Sequence, residues 1–330
     1  MKIPNITLSD EQIKSLGGVL LPLAILSVIP FSPATKTEQV AVTEPESVLE
    51  SEEVILEDPF NSISIQATSA YVFDTVTGEV LFELNPDTQL PLASVTKLMT
   101  AYAFKDYFEK ANTITISRES LLEEGDSGLY LNESWRPRDL LDFTLMVSSN
   151  DGAHAIASAV NALLPSQNEV ENSTASTTEI LTPETFIDVM NRKAKELGLS
   201  TTYFLNESGL DVSESQSGAY GSARDMAHLI SIIYQEHPEL LEATRYSQLT
   251  FSSLNELEHE ASNTNATLNK LPNVLGSKTG YTELAGGNLV VLIDAGINHP
   301  IAIAVLGSTF EGRFDDIEQL SWASLKKITQ

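Results

Sequence analysis

The chain has 330 residues, 42% hydrophobic and 20% charged, the composition of a globular protein with room for one large domain or about two ordinary ones. Acidic residues outnumber basic ones 46 to 19, for a formal net charge of −27, so phosphate backbones and anionic lipid surfaces are repelled and nucleic-acid binding is disfavoured. There is no cysteine, which removes disulfide frameworks, zinc–thiolate sites and a cysteine nucleophile.

No charged residue falls between Lys14 and Lys36, and the apolar heart of that gap is Leu16 to Phe31. It is long for a secretory signal and short of the about 20 residues of a membrane span, and Pro22 and Pro30 disturb a helix. Ser32 and Ala34 are small residues spaced as a signal-peptidase site requires. Residues 1–35 are therefore expected to be a membrane anchor or signal peptide, and the remainder to be extracytoplasmic. Residues 36–62 are expected to be an acidic, disordered linker, since 36–58 carry eight carboxylates against one lysine. Such a segment buries too little apolar surface to offset its ordering entropy.

The folded part is expected to run from residue 63 to 330. Alternation in ISIQA and SAYVFD leads to the turn Thr75-Val76-Thr77-Gly78, and VLFEL returns, the pattern of a β-hairpin. Helical periodicity follows over Ser94 to Phe108, Leu140 to Val147 and His154 to Leu164, the last two separated by Ser148-Ser149-Asn150-Asp151. Residues 165–180 read as a polar surface loop. A helix is expected from Thr182, at a Thr-Pro-Glu start, to Leu197 before Gly198, and another over Ser222 to Tyr234. Three strand-like runs, Leu275 to Thr282, Asn288 to Asp294 and Ile301 to Gly307, precede a last helix from about Glu311 to Lys327. Strands at both ends with helices between them predict an α+β fold, an α/β/α sandwich around one antiparallel five-stranded sheet assembled from both chain ends. A helical subdomain is expected at roughly 110–215.

Three short patterns carry chemistry. Ser94-Val95-Thr96-Lys97 opens a helix, so the Lys97 amine and Ser94 hydroxyl share one face. A lysine made neutral by desolvation can take the serine proton, and the helix start favours the developing alkoxide. Alone, the pattern fits a capped amphipathic helix equally well. Ser148-Ser149-Asn150 puts a hydroxyl for proton relay and an amide for a substrate carbonyl on one tight turn; alone, it is an ordinary N-cap. Lys278-Thr279-Gly280 puts a cation and a hydroxyl along a strand, with Gly280 clearing room for a substrate backbone; alone, it is a glycine bulge.

In this order the three form the signature of penicillin-binding proteins and class A β-lactamases. From about Ile65 to Lys327 the sequence resembles the serine D-alanyl-D-alanine carboxypeptidases, the low-molecular-mass penicillin-binding proteins of a peptidase S11-like family. The matching blocks are LPLASVTKLMTAY, MVSSNDGAHAIA, FIDVMNRKAKELGLSTTYFLNESGLD, YGSARDMAHLI, LGSKTGYTELAGGNLVV and GSTFEGR. The resemblance implies a β-lactamase/transpeptidase-like fold and a penicillin-binding DD-peptidase domain over 63–330. It makes Ser94 the acylated nucleophile, Lys97 its general base and Ser148 a third catalytic residue. Asn150, Lys278, Thr279, Gly280 and Arg313 would bind substrate, Arg313 receiving its terminal carboxylate. The oxyanion hole would be the Ser94 N–H with that of Tyr281 or Thr282. Arg224 is expected to form an ordinary helix salt bridge, and Ser149 to point away from the site. The family's extra C-terminal β-domain is expected to be absent, leaving the N-terminal segment as the membrane tether.

The expected partners are peptidoglycan stem peptides and, as covalent inhibitors, β-lactams; a monomer with no metal or cofactor is expected. The five histidines, 154, 228, 237, 259 and 299, show no ligand spacing, and His154 reads as a structural residue. The alternatives are a D-alanyl-D-alanine endopeptidase cutting crosslinks, a class A-like β-lactamase, for which no Glu-x-x-Leu-Asn-like loop is found, and a catalytically silent wall-binding module.

Overall fold

Period-two alternation builds the centre of the molecule. A computed structural model describes residues 57–165 and 184–330, in which five strands form one antiparallel sheet. We name the longer strands β1 (Ser69–Asp74), β2 (Val80–Leu84), β3 (Gln248–Ser252), β4 (Glu258–Ser262), β5 (Val274–Thr282), β6 (Gly286–Asp294) and β7 (Pro300–Ser308). The sheet runs β5-β6-β7-β1-β2, so the first and last strands of the chain pair at its middle, with Ser69 opposite Leu306 and Asp74 opposite Ile301.

Both faces are covered. Ala70, Val72, Leu289, Val291, Ile293, Ile301, Ile303 and Val305 form one buried cluster with Phe314, Ile317 and Leu320 of the C-terminal helix. Their neighbours in sequence, Tyr71, Phe73, Val290, Leu292, Ala302, Ala304 and Leu306, point to the other face and the remaining helices. Each fully buried aliphatic side chain contributes roughly 1.5–3 kcal/mol. The expected three-layer arrangement is the one found.

The helices are α1 (Lys97–Phe104), α2 (Pro137–Val147), α3 (Asn150–Asn161), α4 (Phe186–Glu196), α5 (Ala223–Glu236) and α6 (Gly312–Ile328). The expected helix over Ser94 to Phe108 is in fact α1 flanked by 3₁₀ turns at Ala93–Thr96 and Lys105–Tyr107. Helix α4 starts later than the Thr-Pro-Glu signal implied. Its N-cap is Thr185, which exchanges hydrogen bonds with Asp188 in a capping box.

Two further expectations are corrected. Residues 57–62 are not linker: Pro59–Ser62 form a 3₁₀ turn, and the buried Phe60 stacks on Phe82 with centroids 5.4 Å apart. The alternating ISIQA segment is not a strand, because side chains of α6 take its amides. Gln319 Oε1 accepts from Ser64 N at 3.2 Å and Asp316 Oδ1 from Gln66 N at 2.8 Å. The hairpin β3–β4 was not expected. The apolar segment, the linker up to residue 56 and the loop beyond residue 165 lie outside the described residues, within which no helix is long and apolar enough to cross a membrane.

Candidate active site

The turn that carries Ser94 is pinned from three sides. Leu90–Pro91 pairs with Ala219–Gly221, the Leu92 amide donates to Ala219 O at 3.0 Å, and Asn288 of β6 donates from Nδ2 to Pro91 O at 2.9 Å. Ala93 has φ +47°, a left-handed conformation that costs a residue with a Cβ about 1–2 kcal/mol. Gly209 (φ +80°) presses on it so closely that an added Cβ would lie 1.9 Å from Ala93 O. Strain of this kind next to a reactive group is held only by surrounding structure.

Lys97, at the start of α1, is fully buried, and its Nζ has three partners. These are Ser94 Oγ at 2.9 Å, Asn150 Oδ1 at 2.6 Å and Ser208 O at 2.9 Å. Burial brings its pKa down to about 7, while the charges of Glu207 and Glu123 pull the other way. A neutral amine has two hydrogens and one lone pair. If Asn150 and Ser208 accept the hydrogens, the lone pair is left facing Ser94.

Ser148 caps α2 in the left-handed region, with φ +64°, and Asn150 begins α3. Ser149 between them caps α3, accepting from Gly152 N at 2.9 Å, and its hydroxyl lies 2.6 Å from Ser127 Oγ, engaged away from Lys97 and Ser94 as expected. Asn150 was expected to offer its amide to a substrate. In the structure that amide donates from Nδ2 to Glu124 O at 2.6 Å, and the carboxamide bridges the 124 loop to Lys97.

The third motif lies on β5, the edge strand. The buried Lys278 donates from Nζ to Ser148 Oγ and to Thr279 O, both at 2.9 Å. Burial first, then the nearby Lys97 and Arg313, hold Lys278 well below the usual lysine range. Gly280 passes the nucleophile's turn so closely that a Cβ would lie 2.8 Å from Leu92 O and 3.1 Å from Ser94 N. The Thr279 hydroxyl meets that of Thr264 at 2.6 Å.

Arg313, in the first turn of α6, is 5% exposed and donates from Nη1 to Gly280 O at 3.2 Å. Its guanidinium lies 4.3 Å from the ring centre of Phe310, and its Nε has no hydrogen-bond partner. Burial lowers its pKa from the ordinary value. A buried cation with an unmet donor beside an open strand edge suits a carboxylate ligand. Arg224, by contrast, is remote from this chemistry. It binds Asp87 at 2.7 Å and the Tyr71 hydroxyl at 3.0 Å, a structural pair as expected.

The eight residues singled out by sequence are joined by a chain of contacts, Ser94 and Asn150 to Lys97, Ser148 to Lys278, Lys278 to Thr279 O, Gly280 to the Ser94 turn and to Arg313. A cavity of about 360 Å³ opens beside Ser148 and Asn150. No group of side chains suited to a metal occurs among the described residues. Sequence reasoning missed the carbonyl of Ser208 and the hydroxyl of Thr264, and it set His154 aside, although His154 lies 2.9 Å from Glu207.

The sequence profile described as D-alanyl-D-alanine carboxypeptidase, peptidase S11, matches residues 56–163 and 161–309. The chain is similar to D-alanyl-D-alanine carboxypeptidase DacA of Haemophilus influenzae, 28% identical over 260 residues, covering 76% of this chain and 59% of that protein. It is also similar to the D-alanyl-D-alanine endopeptidase of Escherichia coli, 27% identical over 316 residues, covering 94% and 89% of the two chains. Among solved structures it resembles penicillin-binding protein D2 from Listeria monocytogenes in its ampicillin-bound form, with a TM-score of 0.63 and 26% identity over 79% of this chain and 98% of that one. The chain therefore spans about 59% of the DacA length but most of the endopeptidase length.

Proposed function

This chain belongs to the peptidase S11 family, that of the D-alanyl-D-alanine carboxypeptidases, and on that footing we propose that it hydrolyses the D-Ala–D-Ala bond of peptidoglycan stem peptides through a serine acyl-enzyme. The observation that carries the reading is the set of three partners on Lys97 Nζ, which aims the lone pair of a neutral amine at Ser94 Oγ.

Ser94 Oγ attacks the carbonyl carbon of the penultimate residue while its proton passes to Lys97. The oxyanion forms against the Ser94 N–H and an N–H of β5 just after Gly280, the geometry supported by the close approach of that glycine to Ser94 N. The C–N bond then breaks, and the proton that Lys97 took passes by way of Ser148, which Lys278 holds by hydrogen bond, to the leaving D-alanine amine, leaving Lys97 neutral again. Water attacks the ester carbonyl, its proton goes to Lys97, and the bond to Oγ breaks as Lys97 returns that proton to Ser94. Thr279 and Arg313 bind the terminal carboxylate, and Asn150 holds Lys97 in place.

The same cleft accounts for acylation by β-lactams, an extension supported by the ampicillin-bound relative. A cell-envelope location and membrane tethering rest on the apolar stretch Leu16 to Phe31 and are checked by fractionating cells. A monomer is checked by light scattering.

A second reading, endopeptidase cleavage of D-alanyl crosslinks, is favoured by the near-full-length similarity to an endopeptidase. Both reactions use one bond type and one set of residues. Incubation with purified muropeptides and mass analysis separates them: free D-alanine from pentapeptides supports the carboxypeptidase, monomers from dimers the endopeptidase. Neither product, from a folded enzyme, would overturn both.

A further inference from the structure

Asn150 and His154 lie four residues apart on one face of α3. Asn150 reaches the Lys97 amine; His154 reaches the loop on the amine's other flank. Its Nδ1 stands 2.9 Å from Glu207 Oε1 and 3.5 Å from Glu123 Oε1. Glu207 is 9% exposed and belongs to the same loop as the Ser208 carbonyl bound by Lys97. Its own carbonyl accepts from Thr100 Oγ1, one turn along α1, at 2.6 Å. Two backbone carbonyls thus tie the loop that bears Glu207 to Lys97 and α1, the Glu207 charge acts on the Lys97 amine through space, and a histidine is fixed against that carboxylate.

We propose that His154 is a positioning residue for the reaction: by pairing with Glu207 it compensates a carboxylate facing Lys97, and so sets the pH at which Lys97 can take the Ser94 proton. The proposal rests on Lys97 being the base. An uncompensated carboxylate favours the ammonium form and keeps the base protonated to higher pH. A charged imidazole against that carboxylate cancels most of its field. The hydrogen bond to Glu207 raises the pKa of His154, so the cancellation persists toward neutral pH.

The other charges around the cluster are accounted for. Glu123 and Glu119 on the preceding loop also face His154. Asp151 faces Glu123. Lys278 on β5 opposes a positive Lys97, and Arg313 acts on Lys278. Among the described residues only His154 supplies a titrating positive charge in contact with Glu207.

The test is the second-order rate of acylation by a fluorescent penicillin from pH 5 to 9, in the wild type, His154→Gln, Glu207→Gln and the double variant. Glutamine at 154 keeps a donor to Glu207, and glutamine at 207 keeps an acceptor. In His154→Gln the midpoint of the acid limb should rise by about 0.5–1 pH unit, lowering the rate at pH 6 about three- to tenfold with the high-pH plateau kept. In Glu207→Gln the midpoint should fall, and in the double variant the effect of the histidine should shrink to the part that Glu123, 3.5 Å from its Nδ1, accounts for. A plateau that drops while the midpoint stays put in both single variants overturns the proposal and leaves His154 a structural residue. A wild type with no acid limb overturns instead the reading of Lys97 as the base, and this proposal with it.

Discussion

Lys278 donates from Nζ to Ser148 Oγ at 2.9 Å, across 130 residues of sequence. That bond joins the edge strand of the sheet to the junction between α2 and α3, and it closes the cleft opposite Ser94. Lys97, Lys278 and Arg313 bring three basic side chains close together, and their hydrogen-bond acceptors are carbonyls, a carboxamide and hydroxyls. Burial lowers the pKa of all three, so the positive charge that persists most securely through neutral pH is that of Arg313. A peptide ending in a free carboxylate is the kind of ligand it suits.

Replacing Ser94 by alanine should abolish covalent labelling by a fluorescent penicillin without loss of the folded state. Ser94 is only half-buried and carries no core packing, so the melting temperature should be nearly unchanged. Labelling at the wild-type level in the variant would reassign the nucleophile.

As the proposed base, Lys97 works only while neutral. With its pKa near 7 it is mostly uncharged above that pH and mostly charged below it, so acylation should fall as pH drops through 7 and approach a tenfold loss per unit. Lys97→Ala should lower the plateau about 10²–10⁴-fold, the usual contribution of a positioned base, and remove this limb. Stopped-flow acylation over pH 5 to 9 checks both; a flat wild-type profile contradicts them.

Gly280→Ala puts a methyl group 2.8 Å from Leu92 O and 3.1 Å from Ser94 N and Val95 N, all backbone atoms that cannot swing aside. The strand edge must move off the nucleophile. Acylation should fall about ten- to a hundredfold, equivalent to the roughly 1–3 kcal/mol that overpacking costs. An alanine variant with unchanged rates would mean that β5 does not set the geometry at Ser94.

Arg313→Gln should weaken turnover of peptides with a free C-terminus by about 2–4 kcal/mol, the loss expected when one partner of a desolvated charge pair is removed. A C-terminally amidated analogue should suffer much less. Equal losses on both substrates, measured as kcat/KM, would make Arg313 a support for Gly280 and not a reader of the carboxylate.

The five-stranded sheet was legible because its strands are buried on one or both faces, and burial writes itself into sequence as runs of Val, Ile and Leu. Strands β5, β6 and β7 each begin or end within two residues of the expected positions. The β3–β4 hairpin was not legible, since its ten residues alternate with mostly exposed polar groups and bury little. The site divides in the same way. Ser94, Lys97, Ser148 and Lys278 are side chains at fixed spacings. The Ser208 carbonyl and the Ser94 amide are backbone groups, which no residue type announces. Glu207 and His154 are 53 residues apart, and only the folded chain makes them neighbours.

Strand β7 is the wedge of the sheet: it sits between β6 and β1, and through it alone the β5–β6 hairpin is joined by strand pairing to the N-terminal strands. Without β7 the β5–β6 hairpin is held only by contacts outside the sheet, such as Asn288 to Pro91 O and Lys278 to Ser148. Such long-range pairing forms slowly compared with local helices. The sheet that backs β5 is consequently completed only when β7 enters the gap between β6 and β1.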